Sequence, residues 1–185
     1  PVFASRSQCL TMLDVGGGST EISRGCSGAL HHSRRYPIGA VRLTEAYLHS
    51  DPPSAEQIRA LQEAVAQHLQ QESRLAEEEY LVGVGGTFVN LASLHAGYTE
   101  YRPEQVHGAT LTQAQMQSLA ERLCALPLAQ RRQLPGIEVE RAPVLHAGAW
   151  IAATAMQCLH AQTIAVSMRG IRWGIIYEYA HAHRH

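Results

Sequence analysis

An aspartate, three glycines, a serine–threonine pair and a glutamate fall together between Asp14 and Glu21, within the stretch LDVGGGSTEIS. Glycines let backbone N–H groups approach an anion closely. In this turn Gly16, Gly17, Gly18 and Ser19 are the candidate phosphate-binding residues, and Thr20 adds a second hydroxyl. Across the turn Glu21 can face back toward Asp14. The two acids could then flank one phosphate through a hydrated Mg²⁺ or other divalent cation, an ion that takes few carboxylates and keeps several waters. Asp14 and Glu21 are therefore the candidate metal residues, and a Gly-rich hairpin with incidental acids is the plainer alternative. A second turn, GVGGT at Gly83 to Thr87, lies between an apolar run and a helical pattern. Gly85, Gly86 and Thr87 would there place backbone amides at a helix start, where anions bind. Two such turns in chain order suggest one nucleotide or polyphosphate spanning both.

The remaining chemistry is narrowed by what the chain lacks. All 15 basic residues are arginine. Without lysine there is no Walker A loop and no Schiff-base catalysis, so phosphate must be held by amides, hydroxyls, arginine or metal. Arg42, Arg141, Arg169 and Arg172 fall near predicted element ends, with exposed salt bridges as the competing role. Arg141, opening a long apolar helix, is the best placed of them. The 11 histidines show no HExxH or equivalent spacing, so no histidine metal site is assigned. No GxSxG elbow occurs either.

The 185 residues, 45% hydrophobic with net charge -1, suit one globular domain or one lobe of something larger. Near-neutral charge without a basic run argues against a nucleic-acid partner, and no apolar stretch approaches the roughly 20 residues that span a bilayer. The N-terminus begins at Pro1 and lacks a signal-peptide pattern, which reads as a piece excised from a longer cytoplasmic protein. Cys9, Cys26, Cys124 and Cys158 have apolar neighbours and no CxxC spacing. They read as buried thiols of a cytosolic protein, so a disulfide framework is not expected.

The elements that must position these residues follow from periodicity and punctuation. Strands are predicted at Gln8–Val15, Glu21–Gly25 and Ala29–Tyr36, forming an antiparallel meander. Helical pattern runs from Ala40 to Leu48. Ser54 with Gln57 then makes a capping box for a helix reaching about Glu78. Tyr80–Val84 reads as a strand, Phe88–His95 as a helix, and Gly97–Gly108 as loop. Thr112 and Gln115 cap a helix to Ala125, PLAQRRQLPGI holds a short helix and turn, and Pro143–His160 is a long apolar helix that should be central. A strand at Thr163–Met168 and a helix from Ile171 end the chain. The fold class is α/β: a ribonuclease H-like lobe whose mixed sheet, three antiparallel strands plus parallel strands, is flanked by helices.

Five stretches, LDVGGGSTEIS, YPIGAVRLTEAY, LVGVGGTFVNLASL, LPGIEVERAPVLHAGA and IAVSMRGIRWGII, occur in the order seen in the exopolyphosphatase/guanosine pentaphosphate phosphohydrolase (Ppx/GppA) family. Over nearly its whole length the chain resembles the C-terminal lobe of that family's two-lobed core, which shares the actin, Hsp70 and sugar kinase fold. The resemblance implies Mg²⁺-dependent hydrolysis of terminal phosphate from inorganic polyphosphate or guanosine pentaphosphate. It implies that Gly16 to Ser19 belong to the family's second phosphate-binding loop, with Asp14 and Glu21 around the metal, and that Gly85 to Thr87 form a later Gly-rich loop lining the cleft. The catalytic base and the first phosphate loop would lie in the missing N-terminal lobe, the principal partner, with a homodimer the further assembly it leaves open. By itself the fragment should be inactive. Departures from the family pattern at Pro143 and Trp173 leave room for a diverged paralogue. An actin/Hsp70-like ATPase or sugar kinase lobe, and a non-catalytic phosphate or nucleotide sensor, are the alternatives.

Overall fold

The computed structural model describes residues 9–76 and 79–170. In chain order its elements are β1 (Cys9–Val15), β2 (Thr20–Cys26), β3 (Ala29–Tyr36), α1 (Ala40–Tyr47), α2 (Ala55–Leu69), β4 (Tyr80–Val84), α3 (Gly86–Ala96), β5 (Thr110–Thr112), α4 (Gln113–Ala125), α5 (Leu128–Arg131), α6 (Leu145–Cys158) and β6 (Thr163–Ser167). The strands form one sheet in the order β3-β2-β1-β4-β6-β5. β1, β2 and β3 are the expected antiparallel meander. β4 joins parallel to β1 and β6 parallel to β4, while β5 runs antiparallel along the outer edge of β6. This is the mixed, helix-flanked, ribonuclease H-like sheet read from the sequence.

Alternation along β1 sets the two faces of the sheet. Thr11, Leu13 and Val15 are buried, whereas Met12 is exposed and Asp14 half-buried. Side chains two apart share a face, so the buried set meets the core and Asp14 stands on the other side. The core is organised by α6, in which every residue from Leu145 to Met156 is buried. A helix that is apolar all round must be covered all round, and α1, α2, α3 and α4 all contact it. Truncating a fully buried member such as Ile151 to alanine would cost about 2–5 kcal/mol.

Local rules start the two long amphipathic helices. The Ser54 hydroxyl accepts from the Gln57 N–H while the Gln57 side chain accepts from the Ser54 N–H. Thr112 and Gln115 repeat the arrangement at α4. Each box satisfies backbone donors that a helix start otherwise leaves unpaired.

The structure corrects two expectations and adds one strand. The helix extended in the sequence reading to about Glu78 ends at Leu69, because the chain beyond it is held by the meander. Glu72 there accepts from the Tyr36 hydroxyl and lies within 3.1 Å of His32 Nε2 and 3.4 Å of the Arg24 guanidinium. β5 follows directly on what was read as loop, being only three residues long and too short to show alternation. Cys9 and Cys26, read as thiols, are joined by a disulfide. They are direct cross-strand partners in the β1–β2 ladder. Cys124 is a free buried thiol and Cys158 a free, half-buried one. The helix expected from Ile171, with Arg172 and Trp173, lies outside the described residues.

Candidate functional site

The first turn is shaped by the helix that follows the meander. The Ala40 N–H donates to the Gly16 carbonyl at 2.9 Å, and the Val41 and Arg42 N–H groups donate to the Gly17 carbonyl at 2.9 and 3.1 Å. Arg42 Nε adds a bond to the Gly18 carbonyl at 3.2 Å. In a trans peptide the carbonyl and the next N–H point in opposite directions. With three successive carbonyls turned toward α1, the N–H groups of Gly17, Gly18 and Ser19 turn away from it. None of the three has a protein acceptor among the described residues. Successive amides aimed outward in this way form an anion-binding concavity. Gly39, the residue before α1, packs so closely on this turn that a Cβ there would collide with the Gly17 carbonyl oxygen and the Gly18–Ser19 peptide.

The two acids sit where the strand pairing puts them. Asp14 and Glu21 are direct partners in the antiparallel ladder, so their side chains leave the same face of the sheet as neighbours. Burial raises the Asp14 pKa, the Glu21 charge raises it further, and Arg141 partly offsets both. Glu21 is engaged already: the Ser19 hydroxyl donates to its Oε1 at 2.7 Å, and Arg35 Nε lies 3.0 Å from the same oxygen. Ser19 therefore offers an anion its backbone N–H, with its hydroxyl directed to Glu21.

The second turn comes alongside through the parallel pairing of β1 with β4, which sets Asp14 beside Val84. Gly85 follows, with φ 88° and ψ 175°, a conformation essentially confined to glycine. A Cβ on Gly85 would lie 2.8 Å from Asp14 Oδ1, so the turn backs directly onto the carboxylate. The Thr87 hydroxyl donates to the Val15 carbonyl at 2.7 Å and is buried. It ties the two turns together and leaves Thr87 only its backbone N–H for a ligand. With no side-chain cap on α3, the first amides of that helix lack intrahelical acceptors.

Above this helix start lies a group that local sequence reasoning did not assemble. The Arg141 guanidinium sits against Gly86, in space that any Cβ would occupy. Arg141 Nε donates to Glu138 at 2.7 Å, and the Asn90 amide donates to Glu138 at 2.9 Å and to the Gly86 carbonyl at 2.8 Å. The Glu138 N–H returns a bond to Asn90 Oδ1 at 2.7 Å. Burial alone would raise the Glu138 pKa, but hydrogen bonds from Asn90 and Arg141 and the arginine's charge outweigh it and hold the carboxyl below its ordinary range. Asn90 is four residues past Gly86, on the same helix face, which is the one signal in the sequence that could have marked it. Of the other arginines singled out, Arg42 braces the first turn, Arg169 lies past the end of β6, and Arg172 falls outside the described residues.

The structure thus brings Asp14, Glu21, the Gly17–Ser19 amides, Gly85, Gly86 and Arg141 around one end of the sheet, whereas the Gly16 N–H, expected to bind phosphate, is taken by the Ser19 carbonyl at 2.9 Å. Its chemical capacity is to hold anionic oxygens between outward amides and a fixed guanidinium beside a carboxylate pair. Two carboxylates suit a cation that takes most of its ligands from water and phosphate. Among the described residues no group of three or more His, Cys, Asp or Glu could form a fuller metal cage. Asp14 and Glu21 could hold such an ion, whose charge would relieve their mutual repulsion. No helix among the described residues is long and apolar enough to cross a membrane.

A model of the Ppx/GppA phosphatase family matches residues 3–183. The chain is 30% identical over 168 residues to Exopolyphosphatase 1 of Mycobacterium leprae, covering 89% of this chain and 49% of that protein. It is 33% identical over 141 residues to Exopolyphosphatase 2 of Mycobacterium tuberculosis, covering 75% and 44%. A crystal structure of an Aquifex aeolicus Ppx/GppA family member superposes with a TM-score of 0.91 at 28% identity, covering 98% of this chain and 59% of that one. The chain spans about half the length of the curated relatives it matches.

Proposed function

Because the chain belongs to the Ppx/GppA phosphatase family, we propose that it is the C-terminal lobe of a phosphohydrolase releasing terminal phosphate from inorganic polyphosphate or guanosine pentaphosphate. Polyphosphate is the preferred substrate in this reading, since the M. leprae and M. tuberculosis relatives are named exopolyphosphatases. The observation that carries it is the meeting of the two glycine turns at Asp14, with Gly85 against its carboxylate and Arg141 close enough to shift its pKa.

In this mechanism the Gly17, Gly18 and Ser19 amides hold phosphate oxygens on one side, and the α3 amides with Arg141 hold them on the other. Fixed donors of this kind stabilise charge that spreads onto the equatorial oxygens during phosphoryl transfer, without reorganising as it develops. Arg141 is kept in place by Glu138, which Asn90 orients in turn. Asp14 and Glu21 would hold Mg²⁺ or another divalent cation, which supplies charge neutralisation when bound. Water attack also needs a positioned base, and none is assigned in this chain. It would come from an N-terminal lobe facing the site, so the 185-residue chain alone should release no phosphate.

The test is phosphate release by the intact protein from polyphosphate, guanosine pentaphosphate and ATP in parallel. Turnover of polyphosphate or pentaphosphate is the expected result. Turnover of ATP alone would move the protein to the ATPase or sugar kinase reading. Tight binding without turnover would make it a sensor.

A further inference from the structure

Beside the first turn, the feature with the clearest further ligand chemistry is a pocket of about 210 Å³ lined by Gly18, Ser19, Arg35, Tyr36, Pro37 and Arg42. Its two charged lining residues are both arginine, and no carboxylate lines it. Each arginine is held by its Nε, Arg42 on the Gly18 carbonyl at 3.2 Å and Arg35 on Glu21 at 3.0 Å. Among the described residues no hydrogen bond engages the terminal Nη groups of either. A guanidinium anchored at Nε presents its remaining donors in a fixed plane, which suits phosphate oxygens. Tyr36 adds no competing donor, because its hydroxyl is given to Glu72. The pocket shares Gly18 and Ser19 with the phosphate turn, so an anion in it would lie next to one held by the turn's amides.

We infer that this pocket is a second anion subsite, in which Arg35 and Arg42 bind inner phosphates of a polyphosphate chain whose end occupies the glycine turn. The inference rests on the polyphosphate reading above and deepens it. A linear polyanion carries charge at every phosphate, so two further cations add affinity only for a chain long enough to reach them. A very short chain fills the turn and stops. The subsite therefore gives this lobe a preference for length.

Equilibrium binding of long-chain polyphosphate and of tripolyphosphate to the intact protein, measured apart from turnover, tests it. Replacing both arginines (Arg35→Gln with Arg42→Gln) should weaken long-chain binding roughly tenfold or more, as expected for lost charge-assisted bonds. The dependence of log affinity on log salt should also flatten by roughly two charges. Tripolyphosphate should lose much less. Arg42→Lys keeps the cation but loses the Nε bond to Gly18 and the fixed plane of donors, and should bind long chains more weakly than the wild type and more tightly than Arg42→Gln. Equal losses for both ligands, no loss for either, or an Arg42→Lys protein as weak as Arg42→Gln would overturn the subsite. Failure of the subsite and of the function are distinguishable. Wild-type hydrolysis of polyphosphate with unchanged long-chain binding in the double variant removes the subsite alone. Length-dependent binding without any polyphosphate hydrolysis removes the proposed reaction alone. A wild-type protein that binds no polyphosphate removes both.

Discussion

The Gly16–Gly18 turn and the Gly85–Gly86 turn lie on either side of Asp14, yet glycine serves a different purpose in each. In the first, neighbours do the shaping: α1 amides and the Arg42 side chain take the Gly16, Gly17 and Gly18 carbonyls. A Cβ on Gly18 would meet nothing within 4 Å. In the second, the missing side chain is itself the structural element. Gly85 has φ 88° and a Cβ position 2.8 Å from Asp14 Oδ1, and Gly86 leaves the room that the Arg141 guanidinium fills. The triple glycine is conspicuous because it is a run, whereas the shorter second turn is the more tightly constrained. Constraint follows what each Cβ would touch and which φ each residue must adopt.

Gly85→Ala should therefore be the most damaging change in either turn. The backbone strain costs about 1–3 kcal/mol, and the new methyl pushes the Asp14 carboxylate from its place. We expect a lowered Tm together with phosphate release by the intact protein falling to background. A Gly85→Ala protein with normal Tm and turnover would show that the second turn is neither constrained nor part of the site.

Asp14→Asn separates function from stability between the same turns. Removing the carboxylate should lower turnover by roughly a hundredfold or more, the scale of losing a principal electrostatic group in a site of this kind. Its effect on stability has the opposite sign. The folded-state pKa of Asp14 is raised by burial and by Glu21. Its contribution is thus fully present below the unfolded value and is lost as pH rises through the folded one. At neutral pH the ionised group is a liability, and Asp14→Asn should match or exceed the wild-type Tm there. A lower Tm at neutral pH would mean that Asp14 is structural.

Glu138, beside the second turn, should behave in reverse. Its burial is outweighed by Asn90 and Arg141, so its folded pKa lies below the ordinary value. The stability it confers is present above the unfolded pKa and is lost as pH falls through the folded one. Glu138→Gln should accordingly lower Tm at neutral pH and lower it less in acid. Turnover should fall by roughly tenfold, the equivalent of one hydrogen bond to a charged group, because Arg141 loses its anchor. Melting curves across pH for the Asp14 and Glu138 variants, with opposite signs at neutral pH, are the direct check.

How much of this was legible in the sequence depends on the distance over which each feature is decided. The capping boxes at Ser54 and Thr112 are local, and both read correctly. The meander and the buried α6 follow from periodicity and apolar content. The Asn90–Glu138–Arg141 group joins residues 48 apart, Asn90 to Glu138, across a boundary that no window spans. The end of α2 is similarly set from a distance, by Glu72 reaching Tyr36, His32 and Arg24. The disulfide is a different kind of omission. Once Asp14 is set opposite Glu21, stepping five residues back along one strand and forward along the other sets Cys9 opposite Cys26. The register carried that information, but the cysteines were judged by composition and spacing alone.

The smallest expected effect is the one that tests the comparison most directly. Gly18 sits in the most glycine-rich stretch of the chain and is exposed. Its φ is not among the positive values found at Gly28, Gly85, Gly97, Gly108 and Gly136, and open space surrounds its Cβ position. Its carbonyl is held by Arg42 and its N–H faces away from α1, and neither interaction needs the α-carbon to be bare. Gly18→Ala should therefore change stability by no more than about 0.5 kcal/mol in either direction, the range of an ordinary surface substitution. Reduced entropy of the unfolded chain would favour the alanine slightly. Denaturant melts of Gly18→Ala and Gly85→Ala side by side make the contrast measurable. Comparable losses in the two variants would mean that the first turn is limited by its own backbone, and that the hydrogen bonds from α1 are a consequence of its shape.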